Sequence, residues 1–260
     1  MSWKGIGAAF ALVIATTGAC SLFIPVPTDE YSNGAVVTDD GGTVVSPGDA
    51  EAGSSTPPSA GCDASFCEHF DDGSLGSKWD RKETHSAELM LVPSTIGPPN
   101  ALEMHLPEQP AGNRREAFLE KRIPTPKHAR CAFDVLAAKL PEGSEDAELI
   151  GLRAKTKDDA DYTTLVNVGR EWSVRDEADG ASSIASAVAE QVPVTGKWTH
   201  VVLDVEPGKT ATLDVDGKTT ALTLRPFAAE TMTLTLGETG DSDPSEVTVL
   251  FDDVSCSFTQ

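Results

Sequence analysis

The segment Val247-Thr-Val-Leu-Phe-Asp-Asp-Val-Ser-Cys-Ser-Phe258 alternates apolar with small polar residues, as a half-buried strand does, but Asp252 and Asp253 interrupt it as a pair. Strand interiors are depleted in Asp, and an unpaired buried carboxylate is costly. Strict alternation puts Asp252 on one face with Leu250, Val254, Cys256 and Phe258. That would aim a carboxylate at the core. Two arrangements relieve the cost. A bulge or strand end can turn the pair out to solvent, or a cation such as calcium, which takes carboxylate and carbonyl oxygens, can offset the burial.

Other reactive constellations are sparse. There is no Gly-x-Ser-x-Gly elbow, no His-Glu-x-x-His and no Gly-x-x-x-x-Gly-Lys phosphate loop. His69 and His200 fall in expected strands without an identifiable partner, so packing or an exposed edge explains them better than catalysis. Of the tryptophans, Trp79 and Trp198 read as core or rim residues. Trp172, in Arg170-Glu-Trp-Ser-Val-Arg175, has polar neighbours and is the candidate for stacking on a ligand, with ordinary packing as the other reading. Aromatics make up only 6% of the chain, which excludes a rich stacking platform.

The N-terminus bounds the location. Lys4 precedes an apolar run from Gly5 to Ala15, closed by Thr17-Gly-Ala-Cys20, and the run is shorter than a membrane-spanning helix needs. This stretch resembles a bacterial lipobox, which implies cleavage after residue 19 and acylation of Cys20, with a plain secretory signal as the other reading. Ser21 after the Cys points to the outer membrane, by resemblance to outer-membrane lipoproteins. Residues 20–61 are rich in Gly, Ser, Pro and acids and have no apolar period, so they read as a disordered tether. As a flexible chain, its ~36 residues after Pro25 span roughly 30–36 Å.

The formal charge is −21. It would repel nucleic acid and anionic lipid surfaces, so a nucleic-acid partner is excluded. With Cys20 acylated, Cys62, Cys67, Cys131 and Cys256 form an even set in an exported chain, with three connectivities open. The expected bridges are Cys62–Cys67 and Cys131–Cys256.

Residues 62–260 suffice for one cored domain. Short alternating runs recur about every ten residues: Ala101–Leu106, Arg130–Leu136, Tyr162–Val168, Trp198–Val205, Thr210–Val215, Thr219–Leu224 and Thr231–Met232 onward to Leu236. Asp216-Gly217 between two of them signals a tight hairpin. Asp146–Lys155 fits a helix taken alone, but its neighbours argue for a strand. The fold class is all-β, a two-sheet antiparallel sandwich after the tether.

Four motifs in order, Gly196-Lys-Trp-Thr-His-Val-Val-Leu-Asp-Val205, Ala211-Thr-Leu-Asp-Val-Asp-Gly217, Leu234-Thr-Leu-Gly237 and Phe251-Asp-Asp-Val254, resemble the second half of a concanavalin A-like lectin/glucanase (laminin G-like) jelly roll. Phe66-Cys-Glu-His-Phe-Asp-Asp-Gly73 with Trp79 is similar to that family's opening. The resemblance implies two curved sheets, a saccharide-binding face, and a structural calcium where first and last strands meet. Its ligands would be Asp252 and Glu68, with Asp72 as a weaker member. It also supplies a test of catalysis, because the family's glucanases carry Glu-x-Asp-x-x-Glu. The nearest match is Glu177-Ala-Asp-Gly-Ala-Ser182, where Ser182 replaces the last acid.

These readings favour a monomeric, non-catalytic envelope lipoprotein that binds a saccharide or envelope polymer. A degenerate or unrecognised glycan-processing enzyme and a purely structural lipoprotein stay open.

Overall fold

The computed structural model describes residues 64–75, 77–96, 99–110, 113–141, 146–240 and 245–260. The signal segment, Cys20, the tether and Cys62 lie outside them. In chain order the strands are β1 (Phe66–Glu68), β2 (Arg81–His85), β3 (Glu88–Pro93), β4 (Asn100–Leu106) and β5 (Arg115–Ile123). Next come β6 (His128–Lys139), β7 (Ala147–Thr156), β8 (Asp161–Val168), β9 (Trp172–Ala178) and β10 (Ile184–Ala187). The last five are β11 (Trp198–Glu206), β12 (Thr210–Val215), β13 (Lys218–Thr223), β14 (Ala229–Gly240) and β15 (Val247–Thr259). The described residues are all-β, as expected, and Ala147–Thr156 is indeed a strand.

The strands form two antiparallel sheets. One runs β13-β12-β11-β6-β15-β4-β3, with β1 paired to the far half of β15; the other runs β10-β9-β8-β7-β14-β5-β2. Period-two alternation packs their inner faces together, because one sheet contributes Phe133, Leu203, Leu213 and Phe251 and the other Leu119, Leu152, Val166 and Leu234, all buried. The β12–β13 hairpin turns at Asp216 and Gly217 with φ of 50° and 83°, the two positive values that a type I′ turn requires.

Strict alternation fails in β15, and the failure explains the paired acids. Asp252 opposes Asp134 but Ser255 opposes Ala132, so Asp253 and Val254 together face Phe133 in a β-bulge. Asp253 sits at φ 49°. Before the bulge Val247, Val249 and Phe251 face the core; after it Val254 and Cys256 do. Asp252 therefore shares the outer face with Leu250, not with Val254 and Cys256 as strict alternation predicts. It is nevertheless buried, 2% exposed, beneath the segment that leads into β4.

Cys131 and Cys256 are cross-strand neighbours and form the expected disulfide across 125 residues of sequence. Cys67 is also disulfide-bonded.

Candidate functional site

The outer face of the seven-stranded sheet carries the site. On β5, inward Ala117, Leu119 and Ile123 alternate with outward Glu116, Phe118, Glu120 and Arg122. On β7 and β8, Arg153, Lys155, Asp161 and Thr163 point the same way, and β14 adds Thr231, Thr233 and Thr235. Strands that pack on one side only are free to place charges on the other. Here the free side forms two grooves.

The first groove, of 820 Å³, is lined by Asp80, Arg81, Glu120, Arg122, Arg153 and Lys155, with Asp161, Thr231 and Thr233 completing it. The second, of 710 Å³, extends it past Phe118 and Leu165 toward Glu177 and Asp179. They share Arg81, Glu120, Arg153 and Asp161, so they make one track across the strands.

Ion pairs order this surface. Arg81 Nη2 donates to Glu83 at 2.6 Å and Nη1 to Glu120 at 3.3 Å, which raises the Arg81 pKa, Glu83 contributing first. Arg153 Nη2 donates to Asp161 Oδ2 at 2.5 Å, and this bond raises the Arg153 pKa. Asp80 accepts from Lys121 Nζ at 2.9 Å and from the Arg122 backbone N–H at 2.8 Å, which together hold its carboxyl below the usual range. Arg114 pairs with Glu116. The Arg81 guanidinium lies 5.6 Å from the Phe118 ring centroid, so that ring is covered and offers no open stacking face. The track presents polar forks and hydroxyls.

Trp172 is corrected by the structure. It is 2% exposed on the inner face of β9, packed in the core, because the residues that flank it, not Trp172 itself, point outward. Trp79 is a core residue that meets Phe66 edge-on at 4.9 Å, and Trp198 sits at the rim with its indole N–H donating to Thr95 Oγ1. Glu177 and Asp179 lie at the acidic end of the second groove, with Asp179 in the turn after β9.

The expected calcium set is not gathered. Glu68 accepts from the Phe70 N–H and lies 3.5 Å from Lys78 Nζ; Asp72 accepts from Ser74 and Ser77. Asp252 accepts from Ser94 Oγ at 2.6 Å and from the Asp253 N–H at 2.8 Å. Each acid is satisfied by protein donors, and among the described residues no three His, Cys, Asp or Glu side chains form a metal-sized group. His69 and His200, which the sequence leaves without partners, bond Asp253 and Asp134, each at 2.7 Å.

No family model and no curated protein matches the chain. Solved structures do. A cellulose-induced protein, Cip1, is 13% identical with TM-score 0.56 over 74% of this chain and 96% of that one. A carbohydrate esterase of the Shiga toxin-encoding bacteriophage phi24B is 14% identical with TM-score 0.50, covering 77% of this chain and 100% of that one. A family 7 alginate lyase solved with substrate gives 11% identity and TM-score 0.49 over 65% and 81%. The likeness is one of fold. This chain is a jelly-roll β-sandwich, a fold that does not by itself determine function.

Apart from Glu177 and Asp179, the residues of the track do not stand out in the sequence, for a physical reason. A charged strand such as Arg115-Glu-Ala-Phe-Leu-Glu-Lys-Arg-Ile123 lacks the apolar density of a strand, and only its period-two alternation signals one.

Proposed function

We propose that this protein is a saccharide-binding β-sandwich, exported and anchored through Cys20, which holds a glycan chain along the outer face of the seven-stranded sheet. One observation carries the reading: two grooves that share four residues form an elongated track lined by planar guanidinium and carboxylate forks and threonine hydroxyls. Such groups bond vicinal hydroxyls in pairs, and an elongated track suits a polymer better than a compact ligand. That one structural neighbour is named a carbohydrate esterase supports a glycan ligand.

Binding without cleavage fits the acids present. Glu120, Glu116 and Asp161 are each bonded to a guanidinium, so they serve to orient cations in the track. A retaining glycosidase instead needs one carboxyl as acid and another as nucleophile, about 5–5.5 Å apart.

The test is a glycan array run beside an assay for released reducing ends. Binding without release is expected. Release of reducing ends overturns the non-catalytic reading, and a blank array overturns the saccharide reading. Cys20→Ser should move the protein from the membrane to the soluble fraction; continued partition with membrane overturns the lipid anchor.

A further inference from the structure

We infer that the saccharide held in this track is acidic, and that its carboxylate or sulfate group sits between Arg122, Arg153 and Lys155. The inference rests on the binding reading above and names the ligand class for the same site.

The charge balance is the first observation. The chain has 20 Lys and Arg against 41 Asp and Glu, yet the first groove is lined by four cations, Arg81, Arg122, Arg153 and Lys155, against three acids, Asp80, Glu120 and Asp161. Those three acids are already engaged. Arg81 takes Glu120, Arg153 takes Asp161, and Lys121, which is not in the lining, takes Asp80. Arg122 has no carboxylate at ion-pair distance among the described residues, and Lys155 pairs only with Asp159, itself 84% exposed in the adjoining turn. One fully uncommitted guanidinium and one loosely held ammonium remain.

Register brings these cations together. Arg122, Thr233 and Arg153 are direct cross-strand neighbours on β5, β14 and β7, and Lys155 is opposite Thr231. Strand spacing puts the Arg122 and Arg153 backbones about 10 Å apart, with Lys155 about 7 Å further along the same face. Three cations thus surround two threonine hydroxyls. Arg122 and Arg153 flank β14 with only Thr233 between them, so an anion seated over the threonines lies within the field of all three cations and relieves their mutual repulsion. Attraction there also opposes the negative field of the rest of the chain, which confines it to this end.

The other end is built oppositely. The second groove adds Glu83, Glu116, Glu148, Glu177 and Asp179 to its lining and only Arg114 as a new cation. Acceptors in that number suit the hydroxyls of uncharged positions. The track is therefore polarised along its length, and an acidic group has one preferred seat.

The probes are uronate oligosaccharides and sulfated galactan oligosaccharides, each beside its carboxyl-reduced or desulfated form, measured by titration calorimetry on the soluble folded protein. The acidic forms should bind at least about tenfold more tightly than their neutral counterparts, as expected for a hydrogen bond to a charged group, and the preference should weaken as salt rises. Whichever acidic series binds identifies the anion. Arg122→Ala and Lys155→Ala should each lower affinity several-fold, and together should remove the preference, while Lys209→Ala, in the β11–β12 turn of the other sheet, leaves it. Equal binding of acidic and neutral forms, or a preference unchanged in the double variant, overturns this inference and leaves the saccharide reading standing. Failure of every saccharide to bind overturns both.

Discussion

Asp252 and Asp253 are consecutive in β15 and occupy opposite environments. The Asp253 N–H donates to Asp252 Oδ1 at 2.8 Å across the bulge, and the Asp253 carboxylate reaches out to His69. Asp252 instead stays under the segment before β4, where Ser94 donates to it. Burial is the first cause of its raised pKa; the Ser94 and Asp253 hydrogen bonds act the other way, and the nearby charges of Asp253 and Asp71 raise it further.

A carboxyl whose folded pKa is raised binds its proton more tightly when folded than when unfolded. Its unfavourable contribution appears as pH rises above the unfolded value, near 3.8, and is complete above the folded value. Asp252→Asn keeps an acceptor for the Asp253 N–H and an amide to donate to Ser94 Oγ. Thermal melting should show this variant at least as stable as the parent at pH 7, with the difference moving toward the parent as pH falls to about 4. A large loss of stability at pH 7 would mean that the charge itself is needed at this position.

Asp216 has the opposite sign. Burial pushes its pKa up, but the His200 N–H at 3.0 Å and Lys197 Nζ at 3.0 Å outweigh burial and leave it lowered. Such a carboxylate contributes stability above its unfolded pKa and loses it as pH falls through the folded one. Asn suits the first position of a type I′ turn as well as Asp does, so Asp216→Asn tests the charge alone. The variant should melt below the parent at pH 7, and the gap should close as pH falls below the ordinary Asp value of 3.8. A gap independent of pH would assign the effect to the turn.

What the sequence discloses here depends on where the information is local. Thr199, Val201, Leu203 and Val205 recur with period two on one face, and Asp216-Gly217 encodes its turn in two residues, so β11 to β13 are legible. The bulge at Asp252 was open as one of two readings, since period-two logic alone cannot locate a skipped residue. The track was not legible. Arg122, Thr233 and Arg153 are adjacent only because β5, β14 and β7 are neighbours in the sheet, and over a hundred residues separate the first two in sequence. Trp172 misled because polar flanking residues are what an inward residue on a charged strand has.

The disulfide between β6 and β15 joins strands that are already paired, so its effect falls chiefly on the unfolded chain. A loop of 125 residues is worth about 4–5 kcal/mol on the chain-entropy model. Cys131→Ala with Cys256→Ala should lower the unfolding free energy by that order in urea, with the sheet register retained. A loss under about 1 kcal/mol would show that the unfolded chain is restrained by other means.

Two glycines with positive φ should respond differently to alanine. Gly217, φ 83°, is in the β12–β13 turn, and a methyl group there meets nothing within 4 Å, so Gly217→Ala should cost only the left-handed backbone strain, about 1–2 kcal/mol. Gly237, φ 147°, opposes Phe118 in β5, and a methyl group would stand 2.3 Å from the Ala117 carbonyl oxygen and 2.5 Å from the Phe118 Cα. Both close atoms are backbone, so no side-chain rotation relieves the clash. Overpacking alone costs about 1–3 kcal/mol, and a conformation closed to alanine adds to it. Gly237→Ala should therefore be the more destabilising of the two by denaturant midpoint. It should also disturb the track, since relief requires β5 to move away from β14 and carries Phe118, Glu120 and Arg122 with it. Equal losses from the two substitutions, with ligand affinity unchanged, would show that β5 is not held this closely against β14.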